Sequence, residues 1–321
     1  MITIIINISL SSLVKTNFEI NLKKLQMKRI FITFLIILVS QITVFSQDIP
    51  AYFEVGKSTE NMDESASLVK ESLKTSGFKI IGEYNPGASE NLAVICYTHP
   101  DLEKIALGFS DRGALAAALK IGLKKEGDLV KISMLNPMYL FYAYFIDGVE
   151  KHESELEKIS ANAKKAMKNV GTEFSPFGGI LDKGKLQKYH YKVMMPYFVD
   201  AEELNEFASF DEGLKTIQAN LASGKGNTKK VYELIYQEKR VAVFGVGLLN
   251  PEDGEPKFLP IIGEENIAAM PYEIILQGNT ATILPGKYRL ALSWPELTMG
   301  TFMKIMSTPG DIKDTMEGLT E

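Results

Sequence analysis

Leu115–Phe145, LAAALKIGLKKEGDLVKISMLNPMYLFYAYF, decides the fold. Leu119, Ile121 and Leu123 alternate with Lys120, Gly122 and Lys124, the two-residue period of a strand with one apolar face. Glu126-Gly127-Asp128 supplies a turn, and Leu129–Met134 returns as the second arm of a hairpin. Asn136-Pro137 then opens a helix, because proline lacks the N–H that a first helical turn leaves unused. That helix carries Leu140, Phe141, Tyr144 and Phe145. The expected sheet has one buried and one wet face.

The same order returns about 150 residues later in Ile267–Phe302, IAAMPYEIILQGNTATILPGKYRLALSWPELTMGTF. A small-residue lead-in, a strand, a Gly turn and more strand are followed by an X-Pro helix start, placed at Trp294-Pro295. Upstream of each copy lies a capped helix. Asn61 with Glu64, and Ser209 with Glu212, have the spacing of a capping box; Gly77 and Gly224 stop the two helices 16 and 15 residues after the caps. Ala51–Gly56, Phe78–Tyr84, Leu92–Tyr97, Tyr189–Val199, Val231–Tyr236 and Val241–Leu249 read as strands, and 101–107 and about 150–169 as helices. Gly171–Gly184, rich in Gly, Ser and Pro, reads as a linker. The expectation is an α+β fold of two tandem β-α-β(4)-α domains with antiparallel sheets, residues 47–170 and 185–321, related by a pseudo-two-fold axis.

The run GDLVKISMLNPMYL, with GFKIIGEYNPG and LAVICYTHP upstream, resembles the DUF302 family over Tyr52–Phe145. For Tyr189–Leu319 the resemblance rests on element order. It implies a TBP-like fold and modules that pair as dimers, so a tandem copy would replace a homodimer by an intrachain pseudo-dimer in a monomer. It implies no reaction.

With 45% hydrophobic and 23% charged residues, the 321-residue chain has the composition of a globular protein. Met27-Lys28-Arg29, the apolar run Ile30–Val39 and Val44-Phe45-Ser46 read as a signal peptide cleaved near Ser46/Gln47, with an over-extended start before Met27. The expected location is periplasmic or extracellular, without stable membrane insertion after cleavage. A retained anchor is the competing reading, but the run falls short of the roughly 20 residues that a bilayer span needs. Residues 1–46 contribute net +4 to the chain's −5, leaving −9 for the remainder. An acidic body without a basic stripe argues against nucleic-acid binding.

No constellation of residues announces a reaction. Cys96 is the sole cysteine, so no internal disulfide forms, and Cys96 and His99 fall on opposite faces of a continuing strand. His99, His152 and His190 lack metal-ligand spacing, and neither a metal nor a cofactor is expected. Gly224–Lys230 runs helix, loop, strand, the reverse of a phosphate loop. Asp200, Glu202, Glu203 and Glu206 suit a solvated face better than a cation site. Met299, Met303 and Met306 share a helical face that suits adaptable packing better than Cu(I). The favoured expectation is an exported, non-catalytic binding or interaction module of the cell envelope. Its predicted ligand site is a seam lined by Tyr139, Tyr142, Trp294 and Met299, suited to a small apolar or amphipathic guest. The alternative is a hydrolase or metal-dependent enzyme using His99, Cys96 or the acidic run.

Overall fold

The computed structural model describes residues 48–321; the signal-segment and start-site expectations lie outside the described residues. The first half runs β1 (Asp48–Ser58), α1 (Met62–Thr75), β2 (Lys79–Tyr84), β3 (Leu92–Thr98), α2 (Pro100–Ala106), β4 (Leu119–Glu126), β5 (Leu129–Leu135), α3 (Pro137–Tyr144), α4 (Glu153–Met167), β6 (Ser175–Asp182) and the single turn α5 (Lys183–Leu186). The second runs β7 (Glu202–Glu206), α6 (Phe210–Ser223), β8 (Thr228–Tyr236), β9 (Val241–Leu248), α7 (Glu255–Ile262), β10 (Tyr272–Gln277), β11 (Thr280–Ile283), α8 (Gly286–Ser293), α9 (Met299–Lys304) and α10 (Thr308–Gly318). Both expected caps form: Asn61 Oδ1 accepts from Glu64 N at 3.0 Å, and Ser209 Oγ from Glu212 N at 3.2 Å. Glu212 completes its box by accepting from Ala208 N at 3.0 Å.

Each half builds its own antiparallel sheet. The first has the order β2-β3-β4-β5-β1-β6 and the second β8-β9-β10-β11-β7. Apart from the added edge strand β6, the orders correspond strand for strand. The registers correspond too. A bulge between Ile80 and Gly82 is followed by the row Gly82–Cys96–Lys120, and a bulge between Lys230 and Tyr232 by the row Tyr232–Gly245–Glu273.

Four expectations are corrected. The 171–184 linker contains β6, which pairs with β1 from Asp48↔Asp182 to Glu54↔Ser175. Tyr189–Val199 is irregular, and the strand begins only at Glu202. The helix after the second hairpin follows Leu284-Pro285, and Trp294 ends it, donating its N–H to Leu290 O at 2.8 Å. A residue before proline is pushed out of the α region, so Trp294-Pro295 acts as a stop. Finally, the first sheet has no wet face at its centre: β3 is buried along its whole length and β4 from Leu119 to Leu123. The second half covers that face.

The seam between the sheets is close enough to require glycine. A Cβ on Gly82 would stand 2.1 Å from Val231 O. Gly82→Ala is therefore expected to destabilise by about 1–3 kcal/mol or more, as overpacking does. Urea unfolding measures this, and an unchanged midpoint would show that the edge strands separate freely. Residues 47–321 form one compact unit, consistent with so tight a seam.

Candidate functional site

The seam is held by groups that each half sends into the other. α3 and α8 exchange hydrogen bonds reciprocally: Tyr139 Oη donates to Leu292 O at 2.8 Å, and Tyr288 Oη donates to Ala143 O at 3.1 Å. In each case a tyrosine reaches the carbonyl four residues along from its counterpart. Tyr52 Oη and Asn266 Nδ2 both donate to Ser293 O at 2.8 Å, satisfying the carbonyl end of α8. Burial pushes the Tyr52, Tyr139 and Tyr288 hydroxyls far above their ordinary value, so they stay protonated as donors.

At the centre of the seam Lys120 Nζ meets Glu273, both buried. Tyr232 Oη adds a long contact to Glu273 at 3.4 Å. Arg289 Nη2 stands 3.4 Å from Glu273 and donates to Ala269 O and Pro271 O at 2.7 and 2.6 Å. The guanidinium lies 3.7 Å from the centre of the Tyr272 ring, so its remaining face meets a π-system. A second buried carboxylate, Glu255, accepts from Tyr84 Oη and Leu248 N at 3.0 Å and from Gly87 N at 2.7 Å. Desolvation nevertheless pushes its carboxyl up to about 7.

Trp294 sits at the outer end of α8. It is 4% exposed, with its indole N–H donating to Gly263 O at 3.0 Å. Beside it is a cavity of about 30 Å³ lined by Tyr191, Met195, Lys287, Leu290, Ala291, Trp294, Leu297, Met299 and Phe302. Trp294 and Met299 both line this cavity. Tyr139 and Tyr142 are elsewhere: Tyr139 is committed to α8, and Tyr142 donates to Glu153 beneath the Lys183 ammonium, 4.7 Å from its ring. Tyr191, Met195 and Lys287 could not be foreseen as lining residues, because the first two lie in an irregular segment with no periodicity.

The residues of the alternative reading do not converge. Cys96 is fully buried, and burial pushes its thiol up to about 12, which leaves no thiolate for nucleophilic work. His99 caps α2 by accepting from Asp101 N at 3.2 Å, and its ring packs 5.3 Å from Phe78. Glu202, Glu203 and Glu206 are spaced along β7, where Glu202 accepts from Gly286 N at 3.3 Å. Among the described residues no three His, Cys, Asp or Glu side chains form a group that could hold a metal ion. A larger, open cleft of about 890 Å³, lined by Glu60, Asp63, Glu90, Lys125, Asp128 and Lys229 among others, is polar and of mixed charge.

No family model matches the chain, and no curated protein is similar to it. Among solved structures, an uncharacterized conserved protein, DUF302, from Bacillus stearothermophilus is similar. The match has 16% identity and a TM-score of 0.30, and it covers 39% of this chain and 98% of that one.

Proposed function

We propose that the chain is a tandem DUF302-like, pseudo-two-fold module, exported to the cell envelope, that binds rather than catalyses. Its guest on this reading is a small apolar or amphipathic molecule held beside Trp294. Support for the internal pairing comes from the matching strand orders, the bulges at equivalent register positions and the reciprocal Tyr139 and Tyr288 bonds. Reciprocity of this kind is what an isologous contact produces. The observation that carries the binding reading is the apolar cavity at Trp294, walled by Met195 and Met299, with Lys287 as its one cationic lining residue. At about 30 Å³ it accepts little more than a water-sized group as it stands. Methionine side chains adapt readily, so a guest enters by displacing Met195 and Met299.

Trp294 is the single tryptophan, so its emission reports this site. Titration with a lysophospholipid below its micelle-forming concentration is expected to give a saturable blue shift. Met299→Asp is expected to weaken binding about tenfold, since it sets a charge in an apolar wall. An emission that never saturates, or a Met299→Asp variant that binds equally well, would remove the cavity as a ligand site.

A further inference from the structure

The segment between the two halves has a chemistry unlike the rest of the body. From Lys183 to Val199 it holds Lys183, Lys185, Lys188 and Lys192 with no Asp or Glu, although the chain after residue 46 as a whole carries −9. Lys183 is paired with Glu153 at 2.5 Å, but Lys185, Lys188 and Lys192 are exposed and pair with no carboxylate among the described residues. At its tip, Met195 N donates to Lys192 O at 2.9 Å and closes a β-turn with Val193 and Met194 at the corner. Turn corners favour Gly, Asn, Asp and Pro, which hydrate or fix the backbone there. Here the corner residues are instead Val193, 85% exposed, and Met194, 97% exposed.

The apolar tip is continuous with a second apolar surface. Met195, next in the chain, shares the Trp294 cavity with Met299 on α9, where Met303 is also 57% exposed. The segment begins directly after Asp182, the register partner of Asp48, and is anchored by the buried Leu186, Tyr189 and Phe198.

The geometry points to a peripheral membrane-contact surface in which Val193 and Met194 enter the interfacial layer of an anionic bilayer while Lys185, Lys188 and Lys192 meet its headgroups. Exposed apolar side chains and exposed lysines in one segment give the two terms of interfacial binding: apolar area buried in the headgroup boundary and attraction to anionic lipid. Charge complementarity selects this occupant. A neutral protein surface would offer no anion to these three ammonium groups, of which Lys192 now meets only the Tyr191 ring at 5.1 Å, and a second copy presenting the same face would set lysines against lysines. Among the described residues no helix is long and apolar enough to cross a membrane, so the contact is one of surface lying on surface. Neither Val193 nor Met194 lines the Trp294 cavity, so this inference and the ligand reading stand or fall separately.

Flotation of the chain from Gln47 to Glu321, which spans the whole compact unit, tests it. With vesicles of equal parts phosphatidylglycerol and phosphatidylcholine the protein is expected to float. With phosphatidylcholine alone, binding should fall about tenfold or more. Val193→Asp combined with Met194→Asp should lose about tenfold or more on anionic vesicles, with unchanged Trp294 emission as proof of folding. Lys188→Glu combined with Lys192→Glu should lose a similar factor at low salt. Three results would overturn the inference: no flotation with anionic vesicles, equal flotation of the Asp variant, or a concentration-dependent dimer in ultracentrifugation that the Asp variant abolishes.

Discussion

Glu273→Gln is expected to cost about 3–5 kcal/mol of unfolding free energy, more than any other single change at the seam. Glu273 is the anion between two buried cations, Lys120 and Arg289. The amide keeps its shape and removes its charge, which leaves two desolvated cations facing each other without compensation. Lys120→Met should cost less, about 1–3 kcal/mol, because Glu273 keeps Arg289 at 3.4 Å and methionine fills the lysine stem's volume. The ranking is the discriminating result. Urea unfolding of both variants and the double mutant gives the coupling energy; equal costs, or a neutral Glu273→Gln, would mean that water reaches the seam and screens these charges.

The position of the pair adds a reason for its composition. Lys120 and Glu273 stand at the same place in their sheets, each two strands in from the bulged edge strand. In the proposed pseudo-dimer each therefore faces its own counterpart. Identical halves would bury Lys against Lys or Glu against Glu, so divergence to Lys and Glu favours pairing of unlike halves within one chain and disfavours like pairing between chains.

The second large effect is a loss of stability as pH rises from about 4.5 to about 7, by about 3 kcal/mol, with a plateau above. Burial pushes the Glu255 carboxyl from its ordinary 4.5 up to about 7, against the pull of two backbone N–H groups, the Tyr84 hydroxyl and Arg289. Across that window the folded protein keeps a proton that the unfolded chain has released. The contribution is therefore fully present below the unfolded pKa and lost as pH climbs through the folded one. Glu150, Glu153 and Glu265, held below their ordinary value by hydrogen bonds and lysine partners, act in the opposite sense at more acidic pH. Chemical unfolding across this window should show the slope in the wild type and lose it in Glu255→Gln. A slope that survives the substitution would assign it to another group. Because Glu255 joins Gly87 and Tyr84 of the first half to α7 of the second, its ionisation loosens the seam itself.

Local chemistry made much of the fold legible. The strands of the two hairpins, the Asn61 and Ser209 caps, Gly77 and Gly224 as helix stops, and the Asn136-Pro137 start are decided within a few residues of themselves, and the structure contains each of them. X-Pro is ambiguous, because it can precede a helix or end one. Leu284-Pro285 and Trp294-Pro295 do one each, and only the packing of α8 against α3 separates them. β6 was hidden for a related reason: Gly- and Pro-rich sequence suits an edge strand with bulges as well as a loop, and pairing with β1 decides which.

Sequence by itself determined what short-range physics governs: an α+β chain of antiparallel hairpins and capped helices. Tertiary structure decided what depends on the other half. It buried both faces at the centre of the first sheet, turned Lys120 and Glu273 from polar strand positions into an internal ion pair, and committed Tyr139 and Tyr142 to hydrogen bonds. It also lifted Val193 and Met194 out of a presumed strand onto an exposed turn. For the buried sheet face, the ion pair and Tyr139 the cause is common: a residue's period fixes which face it occupies, but what that face meets is set by residues about 150 positions away.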